Sequence, residues 1–258
     1  MEIRFGPGGL GNPPLDGLDK IKKAGLSAAE VEFTYGVYMD EATAKKIGAK
    51  AKELGISLSI HAPYYINLTS EDMKKRTQSK GRILQSCERG HDLGARYIVF
   101  HPAFYGKMEK KECYAIVKDA IMELQKKIKE KKWDVVLCPE VTGKGSQFGD
   151  VDELVQLSKE TGCGMCVDFA HVYARNIGHI DYDEVCKKIK DVEVLTAHFA
   201  GINFGPKGER NHELTPPARA KELLSYLKKY KISLRIINES PDPLADSVMM
   251  KQVYASLN

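Results

Sequence analysis

Six acidic or imidazole side chains each close a short apolar run, and the runs recur as a repeating strand–helix unit would space them. His61 ends Ile-Ser-Leu-Ser-Ile-His, His101 follows Tyr-Ile-Val-Phe, and Glu140 ends Val-Val-Leu-Cys-Pro-Glu. Asp168 ends Gly-Met-Cys-Val-Asp, His198 ends Val-Leu-Thr-Ala-His, and Glu239 ends Leu-Arg-Ile-Ile-Asn-Glu. The spacing of roughly 30–40 residues is that of a strand, a crossover helix and two loops. In a closed parallel barrel every strand ends on the same face, so these six residues converge there. Three imidazoles and three carboxylates in one place make a metal site with room for more than one ion.

The rest of the chain fits that architecture. Strand-like segments are predicted at residues 3–5, 29–33, 57–61, 97–101, 135–140, 164–168, 192–199 and 233–239. Helical patterns lie between and after them, at 16–24, 40–54, 72–93, 109–131, 151–161, 181–189, 217–230 and 243–256. Eight strands alternating with eight helices, with no low-complexity linker, predict an α/β chain forming one (β/α)8 TIM-barrel domain over residues 1–258. The metal site belongs at the C-terminal ends of its strands. An open doubly wound sheet would carry a phosphate-binding glycine fingerprint running into a long helix. Phe5-Gly6-Pro7-Gly8-Gly9-Leu10-Gly11 comes close, but no long helix follows it directly, and it reads as a loop where the backbone turns tightly or approaches a ligand.

Composition narrows the setting. With 43% hydrophobic and 29% charged residues the chain reads as globular, and no apolar run approaches the roughly 18 residues of a membrane span. The amino terminus carries no secretory pattern, so the expectation is a cytoplasmic protein without a membrane partner, monomeric by default. A net charge of +4 permits an anionic partner without requiring one. The six cysteines show no disulfide spacing, and Cys163-x-x-Cys166 reads as part of the strand entering Asp168. Of the seven histidines, His61, His101 and His198 close strands, His171 follows Asp168 by three positions, and His212 lies beyond the seventh strand. Only His91 and His179 fall outside the pattern.

These motifs resemble the endonuclease IV family of apurinic/apyrimidinic endonucleases, within the xylose isomerase-like barrels. His61-Ala-Pro-Tyr-Tyr-Ile-Asn-Leu is similar to that family's H-x-x-Y-x-x-N-L segment, and Val99-Phe-His-Pro to its fourth-strand histidine. Glu140-Val-Thr-Gly-Lys-Gly-Ser-Gln-Phe-Gly resembles its bridging glutamate and the loop that follows, one residue shorter. Val167-Asp-Phe-Ala-His matches D-x-x-H and Asn238-Glu-Ser-Pro the final E-[TS]-P. The resemblance covers nearly all of the chain from residue 57 onward.

Carried over residue by residue, the resemblance implies bound zinc. His61, His101 and Glu140 would hold a first ion, with Glu140 bridging to a second that Asp168, His198 and Glu239 complete. His171 and His212 would hold a third. It implies hydrolysis of the DNA phosphodiester 5′ to an abasic site in double-stranded DNA, by in-line attack of water activated between the ions, with Glu140 as the catalytic carboxylate. Tyr64 and Asn67 match the loop that, in the family, enters DNA at the lesion. Lys144 and Lys207 are placed to meet phosphate.

Two departures stand out. The family has D-x-H after the seventh strand, where this chain reads Arg210-Asn211-His212. Arginine stays protonated and is no ligand, so the third ion is short of one unless Glu209 turns inward. Arg210 is then expected to contact phosphate instead. The second-strand loop, Thr34-Tyr-Gly-Val-Tyr-Met, also lacks the polar and basic residues with which the family reads DNA. An alternative from a different class is a sugar isomerase or epimerase on the same barrel. It needs one divalent ion held by Glu140, Asp168, His198 and Glu239, with Glu32 touching substrate and no call for His61 or His101 as ligands. A third reading is a metal-holding binding protein without turnover.

Overall fold

A computed structural model describes residues 2–257. Eight parallel strands form the barrel: β1 (Ile3–Pro7), β2 (Ala28–Glu32), β3 (Ser57–His61), β4 (Tyr97–Phe100), β5 (Val136–Pro139), β6 (Met165–Asp168), β7 (Leu195–Phe199) and β8 (Leu234–Asn238). They pair as β2-β3-β4-β5 and as β1-β8-β7-β6, all parallel. Single parallel bridges, Gly8 with Glu30 and Glu140 with Cys166, close the two seams. The first seam is tight. A Cβ on Gly6 would sit 1.7 Å from the Ala28 carbonyl oxygen, so only glycine lets β1 approach β2 there.

The helices lie outside this ring. Those at Glu41–Leu54, Met73–Leu93, Val151–Thr161, Tyr182–Ile189 and Pro243–Ala255 each begin behind an aspartate whose carboxylate accepts a backbone N–H of the first turn. Each such cap is worth about 1 kcal/mol. Gly55, Gly94 and Gly162 stop three of these helices in the left-handed conformation. The main hydrophobic core fills the layer between strands and helices, from Phe5 and Leu18 round to Leu227 and Met250. A smaller cluster of Val99, Cys138 and Cys166, backed by Tyr97, Val136 and Val194, fills part of the barrel interior. All six cysteines are buried and free, as core residues would be. No helix among the described residues is long and apolar enough to cross a membrane.

Four features were not predicted from sequence. The hairpin Gly201–Gly205/Gly208–Glu213 extends from β7, and Ala103–Phe104 pairs with Gln147–Phe148 across two loops. A short helix, Phe169–Arg175, springs directly from β6. The first strand runs on to Pro7, and the chain turns only at Gly9 and Gly11, whose φ angles are 80° and 74°.

Candidate metal centre

The strand ends bring the predicted ligands together. Glu140, fully buried just past β5, stands at the middle, and its two oxygens face different partners. Oε2 lies 3.0 Å from His61 Nε2 and 3.0 Å from His101 Nε2. Oε1 lies 3.0 Å from His198 Nδ1 and 3.4 Å from His171 Nδ1. Burial alone would push the Glu140 carboxyl up, but His101 and His198 outweigh it and hold the group ionised, well below its usual range.

Donor atoms gather in groups whose members all lie within 4.8 Å of one another: His61, His101 and Glu140; then Glu140, Asp168, His198 and Glu239; then Asp168, His171 and His212. Glu140 and Cys166 also flank His198 at that range. Asp168 and His171 owe their register to local structure. Asp168 ends β6 and caps the short helix after it, its Oδ1 accepting the His171 N–H at 2.8 Å. That leaves Oδ2, which is buried without a hydrogen-bond partner, as is His212 Nε2. Orphaned polar atoms of this kind are costly unless something binds them. A divalent cation fits the three sets on that ground, and the N and O donors suit zinc, manganese or another borderline ion.

Glu209 faces this centre and Arg210 faces away from it, so of the two arrangements that the sequence left open the hairpin adopts the one with Glu209 turned inward. In an unbroken strand, positions 210 and 212 would share a face. The hairpin instead pairs Asn203 with Asn211 and Phe204 with Glu209, leaving Arg210 as the extra residue of a bulge. A bulge shifts side-chain parity by one, so Glu209 turns inward with His212. Its Oε2 lies 3.6 Å from His171 Nε2. Burial would raise the Glu209 carboxyl, but His171, His101 and His212 hold it down at about 2. The Glu209 N–H donates to the Gly143 carbonyl at 3.0 Å. A Cβ on Gly143 would meet Glu209 Oε2 at 2.7 Å, so the glycine leaves the room that Glu209 occupies. Arg210 is exposed and lies against Gly205.

Glu30 was missed altogether. It lies two residues before Glu32 on β2, and strand alternation points both into the barrel, which is the signal that could have found it. Glu30 is fully buried, its Oε1 2.9 Å from His198 Nε2, and the Ser59 hydroxyl donates to its Oε2 at 2.6 Å. Glu30 Oε1 and His198 Nε2 face each other without hydrogen-bond geometry, so Glu30 acts on His198 through its charge, while Nδ1 faces the centre. Deeper still, the Arg235 guanidinium stacks on Tyr97 at 3.9 Å and donates to Thr196 Oγ1 at 3.1 Å. Its charge is close enough to be felt by the Glu30 carboxylate. Glu30→Leu is expected to weaken metal binding about 10- to 100-fold while the fold persists, which titration of the metal-free chain with zinc would measure. Unchanged affinity would leave Glu30 a filler of the barrel interior.

A cavity of about 400 Å³ opens over the ligands, lined also by Glu32, Tyr64, Lys144 and Gln147. Asn67 is set apart from it. Its Oδ1 accepts from the Thr69 N–H and hydroxyl at 3.1 and 2.9 Å, so its oxygen holds the loop together. His91 and His179 lie outside the centre, as their sequence positions suggested. Without a cation, burial would lower the His61 imidazole, but Glu140 overrides this and lifts it to about 9. Metal uptake near pH 7.5 must therefore displace a proton from it. Affinity is expected to climb with pH up to about 9, with net proton release in calorimetry across buffers of different ionisation enthalpy. Uptake without proton release would contradict that arrangement.

Comparison with known proteins fits this geometry. A family model described as the xylose isomerase-like TIM barrel matches residues 18–247. An uncharacterized protein of Methanocaldococcus jannaschii is 36% identical over 254 residues, covering 93% of this chain and 91% of the relative. A probable endonuclease 4 of Mesomycoplasma hyopneumoniae is 27% identical over 191 residues, covering 72% of this chain but only 64% of that relative's length. Among solved structures, endonuclease IV from Thermus thermophilus superposes with a TM-score of 0.73 at 19% identity, covering 100% of both chains. An L-ribulose 3-epimerase does so with 0.74 at 14%, covering 99% of this chain and 94% of that one. At these identities the two structures share the fold, and neither identifies the reaction.

Proposed function

We propose that this chain, which belongs to the xylose isomerase-like TIM-barrel family, is a zinc-dependent endonuclease that hydrolyses the DNA phosphodiester 5′ to an abasic site. The observation that carries the reading is the division of Glu140, one oxygen toward His61 and His101 and the other toward His198. A carboxylate so placed is built to bridge two cations.

His61, His101 and Glu140 hold the first ion in this reading, and Glu140, Asp168, His198 and Glu239 the second. Asp168, His171 and His212 would hold the third, with the Glu209 carboxylate beside His171 to complete its shell. Bound there, the ions would lower the pKa of water toward about 7 and stabilise the charge of an in-line phosphoryl displacement. The chain supplies the rest. Lys144 lines the cavity and meets a phosphate oxygen, and Arg210 and Lys207 stand on the exposed hairpin beyond. Tyr64, 53% exposed with its ring 5.5 Å from that of His61, flanks the sugar next to the cleaved bond.

A one-ion sugar epimerase is the second reading, and one observation favours it: Glu140, Asp168, His198 and Glu239 form a complete ligand group by themselves. The endonuclease reading accounts in addition for His61, His101, His171, His212 and Glu209. Metal analysis of chain purified without chelator separates the two. Two or three zinc ions per chain support the endonuclease. One manganese or magnesium ion, with turnover of a free ketose, would overturn it.

A further inference from the structure

Four tyrosines stand exposed on the loops that follow β2 and β3. Tyr35 is 67% exposed, Tyr38 83%, Tyr64 53% and Tyr65 60%. Single exposed aromatics are common, but a contiguous group beside a site marks a surface that meets something. Two of the rings meet, and a backbone hydrogen bond joins the two loops. The rings of Tyr35 and Tyr65 lie 6.3 Å apart, and the Tyr64 N–H donates to the Thr34 carbonyl at 3.2 Å, tying one loop to the other. Tyr38 lies over Gly36, where a Cβ would meet its ring at 2.9 Å. Tyr64, beside Tyr65 in the chain, lines the metal cavity, so the tyrosine rim adjoins the centre.

Cations flank the mouth on both sides, and on the tyrosine side the Arg82 guanidinium donates to the Tyr65 carbonyl at 3.2 Å. Lys144 and the exposed Lys207 and Arg210 come from the β5 loop and the β7 hairpin, further round the mouth of the barrel. The second-strand loop itself presents two tyrosines and no basic side chain between Thr34 and Met39. A mouth that carries flat aromatics beside cations suits a polyanion whose bases are free to stack. Base–aromatic stacking needs an open π-face, which paired bases inside a continuous helix do not offer.

We infer that the Tyr35–Tyr38–Tyr65 rim is a stacking platform for unpaired bases, and that the preferred substrate is a DNA strand single-stranded beside the cleaved phosphate. The inference rests on the phosphodiesterase reading and narrows its substrate. Bases of the unpaired stretch lie on the tyrosines while the backbone crosses Lys144 to the metal centre. A gapped or bubbled lesion site then binds better than the same lesion in an unbroken duplex.

The test is fluorescence anisotropy with the zinc-loaded chain and three labelled probes: a single-stranded 12-mer, the matching duplex, and that duplex with a central bubble. The single strand and the bubble are expected to bind at least about 10-fold tighter than the duplex, and Tyr35→Ala with Tyr38→Ala to remove most of that preference. Zinc content and residual duplex binding should stay unchanged in the double variant. Tyr35→Phe with Tyr38→Phe keeps the rings and should keep the preference. Duplex binding equal to single-strand binding, unaffected by the alanine changes, would overturn the platform and leave the endonuclease reading standing. Absence of binding to all three probes would overturn both. Self-association that the alanine changes abolish would overturn the platform too, showing the rim to be a contact between copies of this chain.

Discussion

Glu140→Gln is expected to lose at least about 10³-fold in metal-dependent cleavage, because an amide cannot carry the negative charge shared between two cations. Lewis-acid stabilisation is worth several kcal/mol, and each 1.4 kcal/mol is a factor of about ten. The chain should still fold. Glu140 sits above the barrel's own packing of Val99, Cys138 and Cys166, and its histidine neighbours can shed their protons once its charge has gone. Circular dichroism melts beside zinc counting would check this. Full activity with normal zinc content would contradict the bridging role.

The next largest effect is expected at Glu209. Glu209→Ala should lower zinc content by about one ion per chain and slow cleavage at least about 100-fold, since one ion's share of the phosphoryl charge is lost. Arg210→Ala, one position away, should leave zinc content unchanged because its side chain lies outside the centre. Gly143→Val would test the same point from the other side, by taking the space that Glu209 Oε2 fills. If Glu209→Ala kept three ions and Arg210→Ala lost one, the bulge-set register of the hairpin would not govern the third site.

That pair of residues shows where sequence reading stops. His61, Asp168 and His198 were legible because strand alternation and barrel closure dictate where the last inward residue of a parallel strand must point. β3 and β6 end on the residues the pattern named. The D-x-x-H spacing was equally readable, since an N-cap aspartate meets the residue three positions on. Arg210 and Glu209 were not, because a single unpaired residue in a hairpin reverses which side chain faces inward, and nothing local in Gly-Glu-Arg-Asn-His announces it. Glu30 was hidden for a different reason. Ala-Ala-Glu-Val-Glu is too short to reveal which glutamate lies under the histidines and which stands at the mouth. Asn67 had the right motif position, yet its oxygen is spent on Thr69. Motif identity does not fix what a side chain has left to offer.

An incision assay bears most directly on the central claim. The zinc-loaded chain is incubated with a 5′-labelled oligonucleotide carrying one abasic site, both as a duplex and with that site in a bubble. The account predicts a single cut immediately 5′ to the lesion, leaving a 3′-hydroxyl, abolished by chelator, restored by zinc and absent in Glu140→Gln. Intact DNA in both forms, from a chain verified to hold its zinc ions, would contradict it.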